Sequence, residues 1–192
     1  MRFIDHPGVI QLYEVYESTK YIHLLLPLLK GGELFKSIKA RGLYKESDAA
    51  PVMKNFLSAL AYLHDNLIVH RDLKPENLIL TSTMNTTDVK IADFGLATRL
   101  AHPDEKLKLR CGSPGYVAPE LLRDEGYGLA SDIFSAGVIF YVMLTGRPLF
   151  KGCDQNSILS KNKDCMYKFD ERYWSHISDE AEDLVSKMLN IN

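Results

Sequence analysis

The chain has 192 residues, with 23 Lys and Arg against 25 Asp and Glu and a net charge of −2, a balance that excludes a dedicated nucleic-acid binder. With 46% apolar and 25% charged residues it is also neither disordered nor collagen-like, and its length suits one domain with a buried core. The N-terminal MRFIDHPG carries an acid at Asp5 and no apolar run, so it does not read as a signal peptide.

In chain order, residues 9–16 and 20–29 mix β-branched and aromatic side chains and predict two strands, the second losing regularity at Pro27. Glu33 to Ala40 predicts a short helix stopped at Gly42. A longer helix is expected from an N-cap at Ser47, with Pro51 in its first turn. Ala50, Met53, Phe56, Leu57, Leu60, Ala61 and Leu63 are its apolar face, and it ends near Asn66. Short apolar runs at 67–69, 78–80 and 89–92 follow, with a polar turn over 81–88 between the last two. Residues 95–128 have no sustained period and predict a long functional loop. Helices are expected at 130–145, around 155–162, and at 179–189 behind an N-cap at Ser178. The uncharged stretch Ile133–Gly146 is too short to span a membrane and predicts a buried core helix.

Three segments carry the chemistry. His70-Arg71-Asp72-Leu73-Lys74-Pro75-Glu76-Asn77 lies after the long helix, Asp93-Phe94-Gly95 after the next hairpin, and Ala118-Pro119-Glu120 at the end of the long loop. Phosphoryl transfer needs neutralised phosphates, a hydroxyl held in line and a destination for its proton. Asp72 is placed to accept or orient that proton, and Lys74 to meet a phosphate as a point charge. Asn77 and Asp93 offer the hard oxygens that Mg²⁺ prefers.

Together, in this order, the three segments resemble the signature set of a eukaryotic protein kinase. The resemblance implies an α+β fold of the protein-kinase type. Residues 1–29 would be the last strands and hinge of the N-lobe, and 30–192 a mostly helical C-lobe. It implies ATP and Mg²⁺ as cofactors, a cytoplasmic setting and a protein substrate bearing Ser or Thr, with neither nucleic acid nor membrane as partner. Lys74 fits the serine/threonine pattern, and Ser113 keeps the hydroxyl of the family's usual Thr, linking base and lysine. GSPGYVAPELL and GGELF look most like the calcium/calmodulin-dependent group, which implies calcium or calmodulin control through regions outside this chain.

By the same resemblance, Leu26 matches the gatekeeper, Pro27 and Leu29 the hinge, Glu33 the ribose carboxylate and Ile79 the floor under the base. Plain core packing is an equal reading for the leucines. His70 is expected to be structural, stacked in a column with Phe94 and Leu12, and Arg71 to pair with the activation loop. Asp132 matches the helix carboxylate that holds the catalytic loop, with Phe134 where the family usually has Trp. Glu33 and Glu76 remain near the peptide groove, whereas Gly115 and Val142 stand where strongly basophilic relatives carry Glu. That pattern predicts a preference for a basic residue three before the target, with little demand two before. Leu109 holds the usual phosphoacceptor position, and no Ser, Thr or Tyr lies between Arg99 and Gly112, so loop phosphorylation is not expected to activate, with Thr98 the one nearby exception.

The remaining residues read as background. His6, His23, His64, His102 and His176 have no partner spacing and are expected to be structural or at the surface. Cys111, Cys153 and Cys165 read as free thiols. The Gly-rich loop, the lysine strand and its pairing helix would lie before Met1, and Glu120 would lack its usual Arg partner, so little activity is expected from these residues alone. A non-catalytic kinase-like binding module is the alternative. A small-molecule phosphotransferase is disfavoured by the Ala118–Glu120 segment and Lys74-Pro75.

Overall fold

The computed structural model describes residues 3–41 and 44–190. β1 (Glu14–Glu17) and β2 (Ile22–Leu25) form an antiparallel ribbon with Glu14 opposite Leu25 and Glu17 opposite Ile22. Both strands are shorter than predicted. The chain around Val9 bridges Ile91 instead, and the Ile10 N–H donates to the Ile91 carbonyl at 2.9 Å. Beyond Leu25 the ladder stops before Pro27, which has no N–H to donate.

β3 (Gly32–Glu33), β5 (Leu78–Leu80) and β6 (Val89–Ile91) make a second sheet in the order β3-β5-β6, antiparallel throughout. β4 (Ile68–Val69) pairs with β7 (Thr98–Arg99). β7 lies inside the predicted loop, because a two-residue pairing with a partner some 30 residues away leaves no local period to read. For the same reason the short helix α3 (Pro119–Leu122) was not foreseen.

The remaining helices are α1 (Leu34–Arg41), α2 (Glu46–Asp65), α4 (Ala130–Thr145), α5 (Gln155–Lys163), α6 (Glu171–Trp174) and α7 (Asp179–Met188). Gly42, predicted to stop α1, lies outside the described residues. α2 begins one residue before Ser47, and its N-cap is Lys45, with no side-chain cap. A tertiary link takes that role: the Glu46 carboxylate accepts the Ser178 N–H at 3.1 Å and hydroxyl at 2.6 Å. Pro51 therefore sits in the second turn rather than the first. Ser178 caps α7 as predicted, its hydroxyl oxygen accepting from the Ala181 N–H. α6 was not anticipated, its single turn being too short to show a period.

α4 is buried on almost every side and forms the centre of the core, as its uncharged sequence predicts. Its Tyr141 ring stacks on Trp174, which stacks on Phe169 at 4.4 Å, and Phe134 lies against Phe150. Among the described residues no helix is long and apolar enough to cross a membrane.

Gly137 marks where α4 meets α7. A Cβ added there would lie 2.8 Å from Met188 Cβ. Alanine ordinarily gains about 1 kcal/mol over glycine inside a helix. Here overpacking is expected to win, so Gly137→Ala should lower stability by about 1–3 kcal/mol, read as a reduced denaturant midpoint.

Candidate active site

The site begins with one buried carboxylate. Asp132, in the first turn of α4, is 1% exposed and accepts the His70 N–H at 2.8 Å and the Arg71 N–H at 2.9 Å. His64 Nε2 lies 3.2 Å from the same carboxylate, a partner that its sequence spacing did not reveal. These bonds hold the backbone where Arg71 takes a φ of +71°, a left-handed conformation costly for a side chain of this kind.

From this anchor the loop turns back on itself. The Ser113 hydroxyl donates to Asp72 Oδ1 at 2.7 Å, Lys74 Nζ donates to Asp72 Oδ2 at 2.8 Å, and Lys74 also donates to Ser113 Oγ at 2.9 Å. The three residues predicted as base, cation and linking hydroxyl thus close a triangle. Asn77, buried at the end of a 3₁₀ turn (Pro75–Asn77), donates through Nδ2 to the Asp72 carbonyl at 2.8 Å. That leaves its Oδ1 as the acceptor.

Sheet register brings the chain leading to the second acid alongside Asn77. Leu78, directly after Asn77, pairs with Ile91, two residues before Asp93. The Ala92 N–H donates to the Asn77 carbonyl at 2.9 Å, and the Ala92 carbonyl lies 3.0 Å from His70 Nε2. Asp93 itself is exposed, has a φ of +59° and accepts the Gly95 N–H at Oδ1. His70 is fully buried with its ring edge-on to Phe94 at 5.0 Å, and Leu12 is half-buried.

Asn77 and Asp93 suit a hard cation. Among the described residues no cluster of three or more His, Cys, Asp or Glu side chains is able to hold a metal by itself. Two protein oxygens with room for phosphate and water ligands are what Mg²⁺ commonly takes. Glu33 lies opposite Ile79 in the β3–β5 pair, near this end of the sheet, and its carboxylate meets Lys36 Nζ at 2.6 Å. Leu26 is exposed, and Pro27 and Leu29 are half-buried. One carboxylate oxygen of Glu76 is buried with no hydrogen-bond partner. The nearby Tyr116 phenol is pushed above its ordinary value by burial and by that carboxylate.

Sequence reasoning missed Asn162. Fully buried, it accepts the Gly115 N–H at 2.8 Å and donates to the Val117 carbonyl at 3.1 Å, shaping the loop after Ser113. Its partners are 45 or more residues away, so only the tertiary fold reveals it. Arg71 does meet the long loop, donating through Nε to the Leu96 carbonyl at 2.5 Å. Glu120 makes no ion pair among the described residues, and burial raises its carboxyl above the ordinary value against weaker pulls from Lys106 and Arg123.

Fold and site together define the class. All 192 residues match the protein kinase domain, and the chain belongs to that family. It is 42% identical over its whole length to calcium-dependent protein kinase 5 of Plasmodium falciparum, covering 34% of that protein. It is also 42% identical to myosin light chain kinase A of Dictyostelium discoideum, of which it covers 65%. Over 189 residues it is 39% identical to calcium/calmodulin-dependent protein kinase type 1 of Caenorhabditis briggsae, covering 52% of it. The chain thus spans between about a third and two thirds of the length of these relatives.

Two stability measurements test the anchor and the buried acid. Asp132→Ala strands two N–H groups, at about 1–3 kcal/mol each, and is expected to cost roughly 2–5 kcal/mol; Asp132→Asn keeps one acceptor and should cost less. A raised carboxyl binds its proton more tightly when folded, so its penalty appears as pH rises past the unfolded value. Glu120→Gln should therefore stabilise the protein at neutral pH and flatten the fall in melting temperature between acid and neutral pH.

Proposed function

We propose that this chain is the catalytic part of a serine/threonine protein kinase that transfers the γ-phosphoryl group of ATP to a protein hydroxyl. The observation that supports it most is the Asp72–Lys74–Ser113 triangle closed beside Asn77, whose carbonyl accepts the N–H of Ala92, the residue before Asp93. In this reading Asp72 accepts or orients the proton of the attacking hydroxyl. Lys74 supplies positive charge toward the transferred phosphate, and Ser113 keeps the two aligned. Mg²⁺, held by Asn77 and Asp93, would neutralise charge on the phosphates.

Residues 1–29 would close the nucleotide pocket from above and 30–192 from below. Leu26 guards the pocket, Pro27 and Leu29 offer backbone groups to adenine, Ile79 packs under the base and Glu33 meets the ribose. The exposed Tyr16, Tyr21, Ile22 and Leu24 on the β1–β2 ribbon are the kind of surface on which further N-lobe strands, with the Gly-rich loop and lysine, would pack.

Glu33 and Glu76 would meet an Arg three residues before the target. The names of the relatives, two of them calcium-dependent or calcium/calmodulin-dependent, support similar control through regions outside these residues. The three free cysteines suit the reducing cytoplasm.

The test uses the full-length protein carrying this chain, with Mg²⁺, ATP and a Ser/Thr peptide array. Transfer to peptides with Arg at the third position before the target is expected, with Asp72→Asn lowering kcat by about 10²–10⁴-fold. Nucleotide binding without transfer would instead favour the non-catalytic module, and an acidic or proline-directed preference would refute the predicted specificity.

A further inference from the structure

Tyr127 lies just before α4 and is 2% exposed. Its backbone pairs with Leu107 in both directions, at 2.8 and 3.0 Å. Its hydroxyl donates to the Leu109 carbonyl at 2.7 Å and receives Arg71 Nη1 at 3.4 Å, with the Cys111 thiol at 3.6 Å. One phenol therefore joins the residue beside Asp72 to the loop that ends in Ser113.

The same stretch is fastened twice more. Gly112 has a φ of +106°, and a Cβ there would lie 2.8 Å from the Arg71 carbonyl, so the two backbones touch. Arg110 donates through Nε to Asp124 at 2.7 Å, and its Nη2 meets the other carboxylate oxygen. Meanwhile Arg99 to Gly112 offers no hydroxyl for a kinase to modify. A loop of this kind is often ordered by a phosphate that grips an arginine. Here Arg71 meets a phenol and the Leu96 carbonyl instead.

We propose that Tyr127 is a positioning residue: its neutral hydroxyl bridges Arg71 to Leu109, does the work of a loop phosphate, and so holds Ser113 against Asp72 without modification. The effect on turnover rests on the kinase reading above, whereas the latch itself does not. Burial pushes the Tyr127 phenol up to about 12, so the hydroxyl keeps its proton, and its donor role, across the physiological range. The grip is therefore permanent, in contrast to one made by a phosphate that is added and removed.

The experiment compares wild-type full-length protein with Tyr127→Phe and with Tyr127→Phe/Leu109→Glu, which returns an acceptor for Arg71. Phenylalanine keeps the ring packing and removes only the hydroxyl. Amide exchange at residues 107–113 is expected to quicken about fivefold in Tyr127→Phe, as for one lost hydrogen bond. Peptide kcat should fall by a similar factor with the KM for ATP unchanged, and the double variant should recover at least half of both. Unchanged exchange in Tyr127→Phe, or a kcat loss that Leu109→Glu leaves uncorrected, would overturn the proposal. Faster exchange in Tyr127→Phe, with a wild-type protein that transfers no phosphoryl group, would support the latch while removing the kinase reading.

Discussion

Asp132 is the constraint on which the rest of the site depends. A carboxylate this deeply buried is costly unless its lone pairs are filled, and the His70 and Arg71 amides with His64 fill them. In return they stay in a backbone shape that the loop would not keep alone, with Arg71 left-handed. The rigid helix in the centre of the core thus sets the position of a loop on its surface. A catalytic group has to be held to within a fraction of an ångström, and loops manage this only when something stiffer holds them.

The short β5–β6 hairpin does for Asn77 and Asp93 what α4 does for Asp72. Leu78 and Ile91 are paired, so Asn77, next to Leu78, and Asp93, two residues past Ile91, leave the same end of the sheet. Ala92 is tied to both Asn77 and His70, which couples the hairpin to the loop that Asp132 anchors. The long segment after Asp93 is then pinned by Arg71, Tyr127 and Asn162, each contributing polar bonds across large sequence distances. The result is one network in which Asp72, Lys74 and Ser113 share their hydrogen bonds instead of standing separately.

Much of this was legible in the chain. The loop from His70 to Asn77 is contiguous, so its residue types and their spacing survive as a pattern that can be read directly. α4 was legible because sixteen residues with a single charge have nowhere to be but inside. Errors fell where a distant partner overruled a local preference. Ser47 looked like a cap, but Glu46 reaches Ser178 and starts the helix earlier. Residues 9–12 looked like part of a strand, but the Val9–Ile91 bridge takes that stretch away from the ribbon. His64 looked idle because its carboxylate is 68 residues further on.

The sequence by itself determined the helices with long apolar faces, the identity of the chemical groups and their family, because these depend on neighbours within a few turns of chain. Only the tertiary structure decided which of those groups meet, that Tyr127 and Asn162 belong with them, and that Glu76 and Glu120 are left without ion-pair partners among the described residues. The physical reason is that hydrogen bonds and burial are settled by distance in space, and packing brings together side chains whose separation along the chain carries no periodic signal.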